Sequence, residues 1–378
     1  MSLGSIDWGS APRDSVRRVR PFGINMDMPL LVTLLLVTAL GFVVLYSAVG
    51  EDLTLMFRQG MRFAFAFTIF FVLAQVPPRY LRIWTPWLFF AVLGLLVLVL
   101  LKGEIGKGAQ RWLNLGLVTF QPSELMKLAV PMMIAWYMHE RQLPPRRSQL
   151  LVMTILVLVP ATIIARQPDL GTALLVVAAG AMTILLAGVS VRIISVLVTL
   201  ALSAAPILWF FVMHDYQKAR VLTFLEPESD PLGAGYNAIQ SQIAIGSGGL
   251  FGKGWLNGTQ AHLEFLPERS TDFILAVMAE EFGLLGLLLL LVLYLVLVGR
   301  SLYIASQAQD TYTRLLAGAL SLTFFFYVFV NAGMVTGLLP IVGVPLPLIS
   351  AGGTSMVTVM AGFGILAAIG GHRKLLAP

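Results

Sequence analysis

Ten apolar stretches, each close to the length of a helix that crosses a bilayer, limit this chain's fold more than any other feature. They fall near residues 29–49, 57–76, 82–101, 123–139, 149–166, 171–189, 192–213, 273–299, 315–336 and 352–371. A hydrocarbon core about 30 Å thick needs about 20 apolar residues at about 1.5 Å per residue. No water meets a bare amide inside lipid, so each stretch must satisfy its own backbone, and a helix does that alone. The runs are continuous rather than alternating with a period of two, which excludes an outer-membrane barrel. Composition agrees: 58% of residues are hydrophobic and 12% charged, against roughly 25% charged in a soluble domain. The expected fold class is all-α, a polytopic integral membrane protein of about ten transmembrane helices. One long extracytoplasmic loop, 214–271, interrupts otherwise short connections.

Residues 1–28 carry Arg13, Arg17, Arg18 and Arg20 without apolar periodicity. They read as a mostly disordered cytoplasmic tail ahead of a membrane domain over 29–378. The first apolar run is too long for a signal h-region and reads as an uncleaved span. Cysteine is absent, and His139, His214, His262 and His372 form no ligand-spaced pair. Disulfides, thiolate sites and a histidine-bound transition metal are therefore not expected.

An even span count puts both termini on one side, and lysine and arginine choose the side. With the N-terminus inside, fourteen of the 25 basic residues face the cytoplasm, but only five of the 19 acids do. The inner side then carries about +9, matching an anionic inner leaflet. The outer side is near neutral yet dense in both signs, as a polar site would be. The excess positive charge is juxtamembrane, so nucleic-acid binding is not expected.

Three outer constellations carry chemistry. The first is Lys107-Gly-Ala-Gln-Arg-Trp112 followed by Phe120-Gln-Pro-Ser-Glu-Leu-Met-Lys127. Pro122 suits the first position of a helix, and Glu124 its first turn. Glu124 and Lys127, three apart, share a face just inside the membrane. They read equally as a structural ion pair and as a functional one, since intramembrane charges are functional candidates. Lys107 and Arg111 supply phosphate-binding charge, and Trp112 reads as an interfacial anchor. The second is Arg166-Gln-Pro-Asp-Leu-Gly-Thr172, in which Asp169 reads as a helix N-cap, as a member of a charged network or as a metal-binding carboxylate. The third is the long loop with Arg220, the glycine-rich run Gly246 to Gly254 containing Lys253, and Asp272 at the entry to the eighth span. Those glycines could bring backbone amides to phosphate oxygens, with Lys253 adding charge, or could simply bend a lid-like loop. Asp272 reads as a helix-terminal carboxylate or as a catalytic acid or base. Residues 273–299 are longer than a bilayer core needs, so that helix must tilt, break near Gly283 or begin above the membrane.

At these motifs the chain resembles the SEDS family (shape, elongation, division and sporulation), through its whole membrane region. The matching motifs include Phe120-Gln-Pro-Ser-Glu124, Gln167-Pro-Asp-Leu-Gly-Thr172, Asp230-Pro-Leu-Gly-Ala-Gly-Tyr236, Phe265-Leu-Pro-Glu-Arg269, Ala279-Glu-Glu281 and Gly343-Val-Pro-Leu-Pro-Leu-Ile-Ser350. The Gly-Val-Pro-Leu-Pro version resembles the rod-elongation branch more than the division branch. Ala351 departs from the family's usual Tyr, and Thr119 from the Arg of some relatives. The resemblance implies a multi-pass protein of the bacterial cytoplasmic membrane that polymerises lipid II on the periplasmic face. It implies a class B penicillin-binding protein as partner, beside other elongation-complex proteins. It also implies Asp272 as the catalytic aspartate and Arg111, Glu124, Lys127 and Asp169 as functional polar positions.

The chemistry fits such residues. A sugar hydroxyl is a poor nucleophile, so a carboxylate should take its proton, a role assigned to Asp272. The departing diphosphate of an undecaprenyl-diphosphate-linked glycan needs charge neutralisation, which Lys107, Arg111, Arg220 and a divalent cation (Mg or Mn) could supply. Lys253 joins the substrate-binding candidates; no metal ligand set is evident, and no organic cofactor is implied. The alternative is a flippase for the lipid-linked precursor, which would space polar groups through the membrane rather than gather them at one end.

Overall fold

The computed structural model describes residues 26–106, 109–114, 119–190, 192–193, 195–196, 199, 203, 206, 208–213, 215–229, 234–262 and 265–372. Its helices follow from caps, prolines and apolar runs. Asp27 accepts from the Leu30 amide and starts α1 (Met28–Ala48). Asp52 accepts from the Thr54 and Leu55 amides and starts α2 (Leu53–Ala74). Proline opens α3 (Pro78–Lys102) and α4 (Pro122–Met138), where its missing N–H removes no helical bond. Then come α5 (Arg147–Arg166) and α6 (Leu170–Leu186), the latter capped by Asp169. The long loop holds α7 (Asp215–Leu225), α8 (Ala234–Gly248) and α9 (Thr259–His262). The chain ends in α10 (Ile274–Ser306), α11 (Thr311–Val335) and α12 (Thr354–Gly371).

Nine of the ten expected spans are helices, with ends shifted by a few residues. The seventh, near 192–213, is only partly described, and most of the expected tail and residue 107 lie outside the described residues. Among the described residues seven helices are long and apolar enough to cross a membrane, and α4 and α6 add 17 residues each. The chain is an all-α membrane protein. Large apolar side chains such as Leu35, Phe65, Trp87 and Leu289 face outward. Small residues bring backbones together: a methyl on Gly41 of α1 would lie 2.8 Å from the carbonyl oxygen of Leu348, in the turn before α12, and one on Gly364 of α12 equally close to that of Phe70 in α2. Lipid offers no hydrophobic drive between helices, so this close packing is what holds them.

One departure from the expected pattern lies between α3 and α4. There β1 (Glu104–Gly106), β2 (Ala109–Asn114) and β3 (Thr119–Phe120) form a three-stranded antiparallel sheet. Strands this short show no readable alternation, yet β2 is what carries Arg111.

The break offered for the eighth span occurs. The 33 residues of α10 would reach roughly 50 Å as one straight helix. Gly283 takes φ 63° and ψ −161° within it, leaving backbone groups on both sides without helical partners. The glycine-rich run supplies those partners. The Lys253 and Gly254 amides donate to the Glu280 and Glu281 carbonyls at 2.9 and 3.0 Å. In return, the Leu284 and Leu285 amides donate to the Gly249 and Leu250 carbonyls at 3.0 and 3.2 Å. The Lys253 and Gly254 amides, which could have met phosphate or simply bent a loop, are thus spent on a helix break that lipid could not have satisfied. Gly252 has φ +79°, and a methyl there would overlap the Glu281 carbonyl. Gly252→Ala is therefore expected to lose about 3 kcal/mol or more of stability from strain and overlap. Thermal unfolding in detergent should show it as a lowered midpoint, and an unchanged midpoint would refute the role given to this segment.

Candidate active site

Asp272 lies in the turn that leads into α10, one residue before its N-cap Phe273, and it is half-buried. Two neighbouring segments fix its backbone. Asn331 of α11 donates from Nδ2 to the Asp272 carbonyl at 2.8 Å and to the Val344 carbonyl at 2.7 Å. Ser350 donates to the Thr271 carbonyl at 2.5 Å, and the Ala351 amide donates to that of Ser270 at 2.8 Å. The side chain turns toward bare backbone: a methyl on Gly343, where φ is +72°, would lie 3.4 Å from Asp272 Oδ2.

The same stretch, Val342 to Val344, reaches the second constellation. A methyl on Gly171, in the first turn of α6, would lie 2.5 Å from the Val342 carbonyl oxygen. Asp169 caps that turn, accepting from the Thr172 amide at 3.2 Å, and its other oxygen accepts from Gln121 Nε2 at 2.7 Å. Arg111 approaches Asp169 at 3.7 Å and donates to the Pro168 carbonyl at 2.6 Å. Capping and membership of a charged network therefore coexist in one carboxylate.

Just inside the bundle, Lys127 and Glu124 meet at 2.6 Å, both buried. The Lys127 ammonium also lies 4.7 Å from the centre of the Tyr327 ring. Tyr327 and Asn331 are four residues apart on α11, so one helix face holds the ion pair and the backbone of Asp272 together. Glu124 Oε2, Arg111 Nε and Ser123 Oγ are buried without a hydrogen-bond partner among the described residues. A group that enters this site can meet them.

The structure thus brings Arg111, Glu124, Lys127 and Asp169 to one side of Asp272. Lys253 is elsewhere. Its ammonium donates to Glu280 Oε1 at 2.7 Å and to Thr259 Oγ1 at 2.8 Å, and the Glu280 side chain is fully buried. A carboxylate sunk in a membrane helix demands a counter-charge, and in this structure Lys253 supplies it to Glu280. Lys107 and the Arg220 side chain lie outside the described residues. Asn331 and Tyr327 belong to no quoted motif; the only sequence signal was a polar residue inside an apolar run. Among the described residues no three His, Cys, Asp or Glu side chains gather as a metal-holding group. Asp169 and Glu124 are already turned to Gln121, Arg111 and Lys127, so these residues do not fit a resident Mg or Mn site.

Comparison with known proteins extends this picture beyond single residues. The chain is 52% identical over 354 residues to the peptidoglycan glycosyltransferase MrdB of Escherichia coli, covering 94% of this chain and 96% of that one. It superposes with a TM-score of 0.82 and 32% identity on a chain of a peptidoglycan synthase complex described as coordinating polymerization and crosslinking, over 92% of this chain and 99% of that one. The rod shape determining protein RodA of Thermus thermophilus aligns with a TM-score of 0.69 and 29% identity, over 91% and 96% of the two chains. The profile of the FtsW, RodA and SpoVE cell cycle proteins matches residues 27–375, from the cap of α1 past the end of α12. Bundle, loop and polar site all lie inside that match, and the chain belongs to the FtsW/RodA/SpoVE family of cell cycle proteins.

Proposed function

We propose that this chain polymerises lipid II into glycan strands at the periplasmic face of the cytoplasmic membrane, with Asp272 as the general base. It is a peptidoglycan glycosyltransferase of rod-shape elongation. The observation that carries the mechanism is one carboxylate, half-buried at the mouth of a broken helix, beside two ion pairs set into the bundle, Arg111 with Asp169 and Lys127 with Glu124. Asp272 takes the proton of the acceptor's GlcNAc 4-hydroxyl as that oxygen attacks the anomeric carbon of the donor glycan. The bond to the undecaprenyl diphosphate breaks on the opposite face, so an α-linked donor gives a β-linked product. The diphosphate is a good leaving group and needs positive charge more than a proton; Arg111 and Lys127 lie in position to supply it, and Lys107 is their neighbour in sequence. Positive charge from a divalent cation would serve the same leaving group, and no step here is assigned to one.

The lopsided distribution of basic residues supports both termini in the cytoplasm and the site outside. Domain limits follow: a cytoplasmic tail over 1–28, a membrane polymerase over 29–378 and a periplasmic loop over 214–271. A class B penicillin-binding protein suits the role of partner, because a growing strand has to be crosslinked, and other elongation proteins would join the pair.

The test is polymerisation of lipid II by the purified chain with its transpeptidase partner, the partner's own activity blocked by a β-lactam. Glycan strands are the expected product. Lipid II crossing a liposome bilayer with this chain alone, without polymer, would establish the flippase reading instead.

A further inference from the structure

We propose that the corner where α2 meets the start of α12 is a second lipid-diphosphate site, opposite the Arg111 cluster across Asp272. This rests on the polymerase reading: both substrates of that reaction, the growing glycan and lipid II, carry a diphosphate on an isoprenoid chain. Two anions must therefore sit near one base.

The buried face of α2 runs through Gln59, Phe63, Ala66, Phe70 and Ala74, at helical spacing. Its polar member is Gln59, 2% exposed, whose Oε1 accepts from Arg62 at 3.4 Å. Gln59 Nε2 has no hydrogen-bond partner among the described residues. Arg62 is exposed, and it makes no ion pair among them. Its Nε lies 3.9 Å from where a methyl on Gly353 would stand. Gly353 is the N-cap of α12, and no side chain caps that helix. Three kinds of donor therefore converge: a guanidinium, a buried carboxamide N–H and the first-turn amides that an α-helix leaves unbonded. An arginine on a membrane-spanning helix is costly, and it persists where an anion repays it. With 18 residues, α12 is barely long enough to span, so its first turn lies at headgroup depth.

The corner is tied to the base. Ser350 and Ala351 bond to the carbonyls of Thr271 and Ser270, just ahead of Asp272. Beside them opens a cavity of about 430 Å³ lined by Ala48, Val49, Leu55, Leu266, Arg269 and Ser270. Leu55 stands one turn above Gln59. That volume falls within the range of small-molecule sites and leaves room for a headgroup sugar next to the diphosphate.

The experiment uses the chain with its transpeptidase partner in phosphatidylcholine nanodiscs, with lipid II as the probe. In an Asp272→Asn background, which halts turnover, two lipid II molecules should bind per chain, and at a lipid II concentration that only just fills both sites Arg62→Gln should reduce this toward one. With Asp272 intact, Arg62→Gln should raise KM about tenfold with kcat little changed, as expected for one charge-assisted contact, and Arg62→Lys should keep most of the affinity. Gly353→Asp provides a variant that keeps the fold, because it caps α12 while placing its own carboxylate against Arg62; it too should remove the second molecule. Two molecules bound by both Arg62→Gln and Gly353→Asp, at unchanged KM, would overturn the site. So would loss of the Arg62-dependent molecule when phosphatidylglycerol is added, since the corner would then hold bulk anionic lipid. Undiminished polymerisation by Asp272→Asn would instead overturn the role of the base and leave the counts at Arg62 to be read by themselves.

Discussion

Asparagine in place of Asp272 is expected to leave a folded, membrane-inserted chain that polymerises lipid II about 10²–10⁴ times more slowly, the usual contribution of a general base. The substitution keeps size and shape. The backbone at this position is held from outside, through Asn331, and its neighbours through Ser350 and Ala351, and none of these contacts uses the carboxylate. The Arg111 cluster and the corner at Arg62 are untouched, so lipid II binding should persist. This separates the two readings of the residue. A carboxylate that merely favours the start of α10 would be worth about 0.3–1 kcal/mol of stability and nothing in rate. Polymerisation should be timed beside a thermal unfolding curve: lost turnover with an unshifted midpoint supports the base, whereas a shifted midpoint with turnover intact would reduce Asp272 to a helix terminus.

How much of this could be read from the chain alone divides by the range of the contacts. Helix positions were legible because about 20 apolar residues in lipid have one low-energy backbone. The break at Gly283 was legible as one of three options, because the apolar run there exceeded what a bilayer needs. The small sheet was not, since strands of three, six and two residues carry no period. Asp169 was legible as a cap, a local contact, but its hydrogen bond to Gln121 spans 48 residues. Lys253 shows the opposite failure. Its glycine-rich setting suggested phosphate, and the buried Glu280 that claims it is 27 residues away. Arg62 and Gln59 drew no attention because what they face, the uncapped start of α12 at Gly353, lies at the far end of the chain. Motifs report local chemistry, and the site is assembled by packing that motifs do not encode.

The ion pair of Lys127 and Glu124 is where structural and catalytic readings compete most closely, and stability and activity can be set against each other there. Lys127→Met alone leaves a carboxylate buried among helices without its counter-charge, at an expected cost of about 3–5 kcal/mol. Adding Glu124→Gln removes that stranded charge, and the double variant should recover most of the lost stability, because a well-packed neutral pair can replace a buried ionic one. Activity should not return with it. One oxygen of Glu124 holds Lys127 while the other is buried with no hydrogen-bond partner among the described residues, an arrangement a purely structural pair has no use for. An acceptor left this way costs about 1–3 kcal/mol unless something arrives to meet it, and a substrate hydroxyl or amide is such a group. The Lys127 ammonium, held over the Tyr327 ring, keeps positive charge facing the same space. Unfolding midpoints and polymerisation rates of the two variants decide the matter: a double variant that regains both would show the pair to be scaffolding, and one that regains only its midpoint places these two side chains in the reaction.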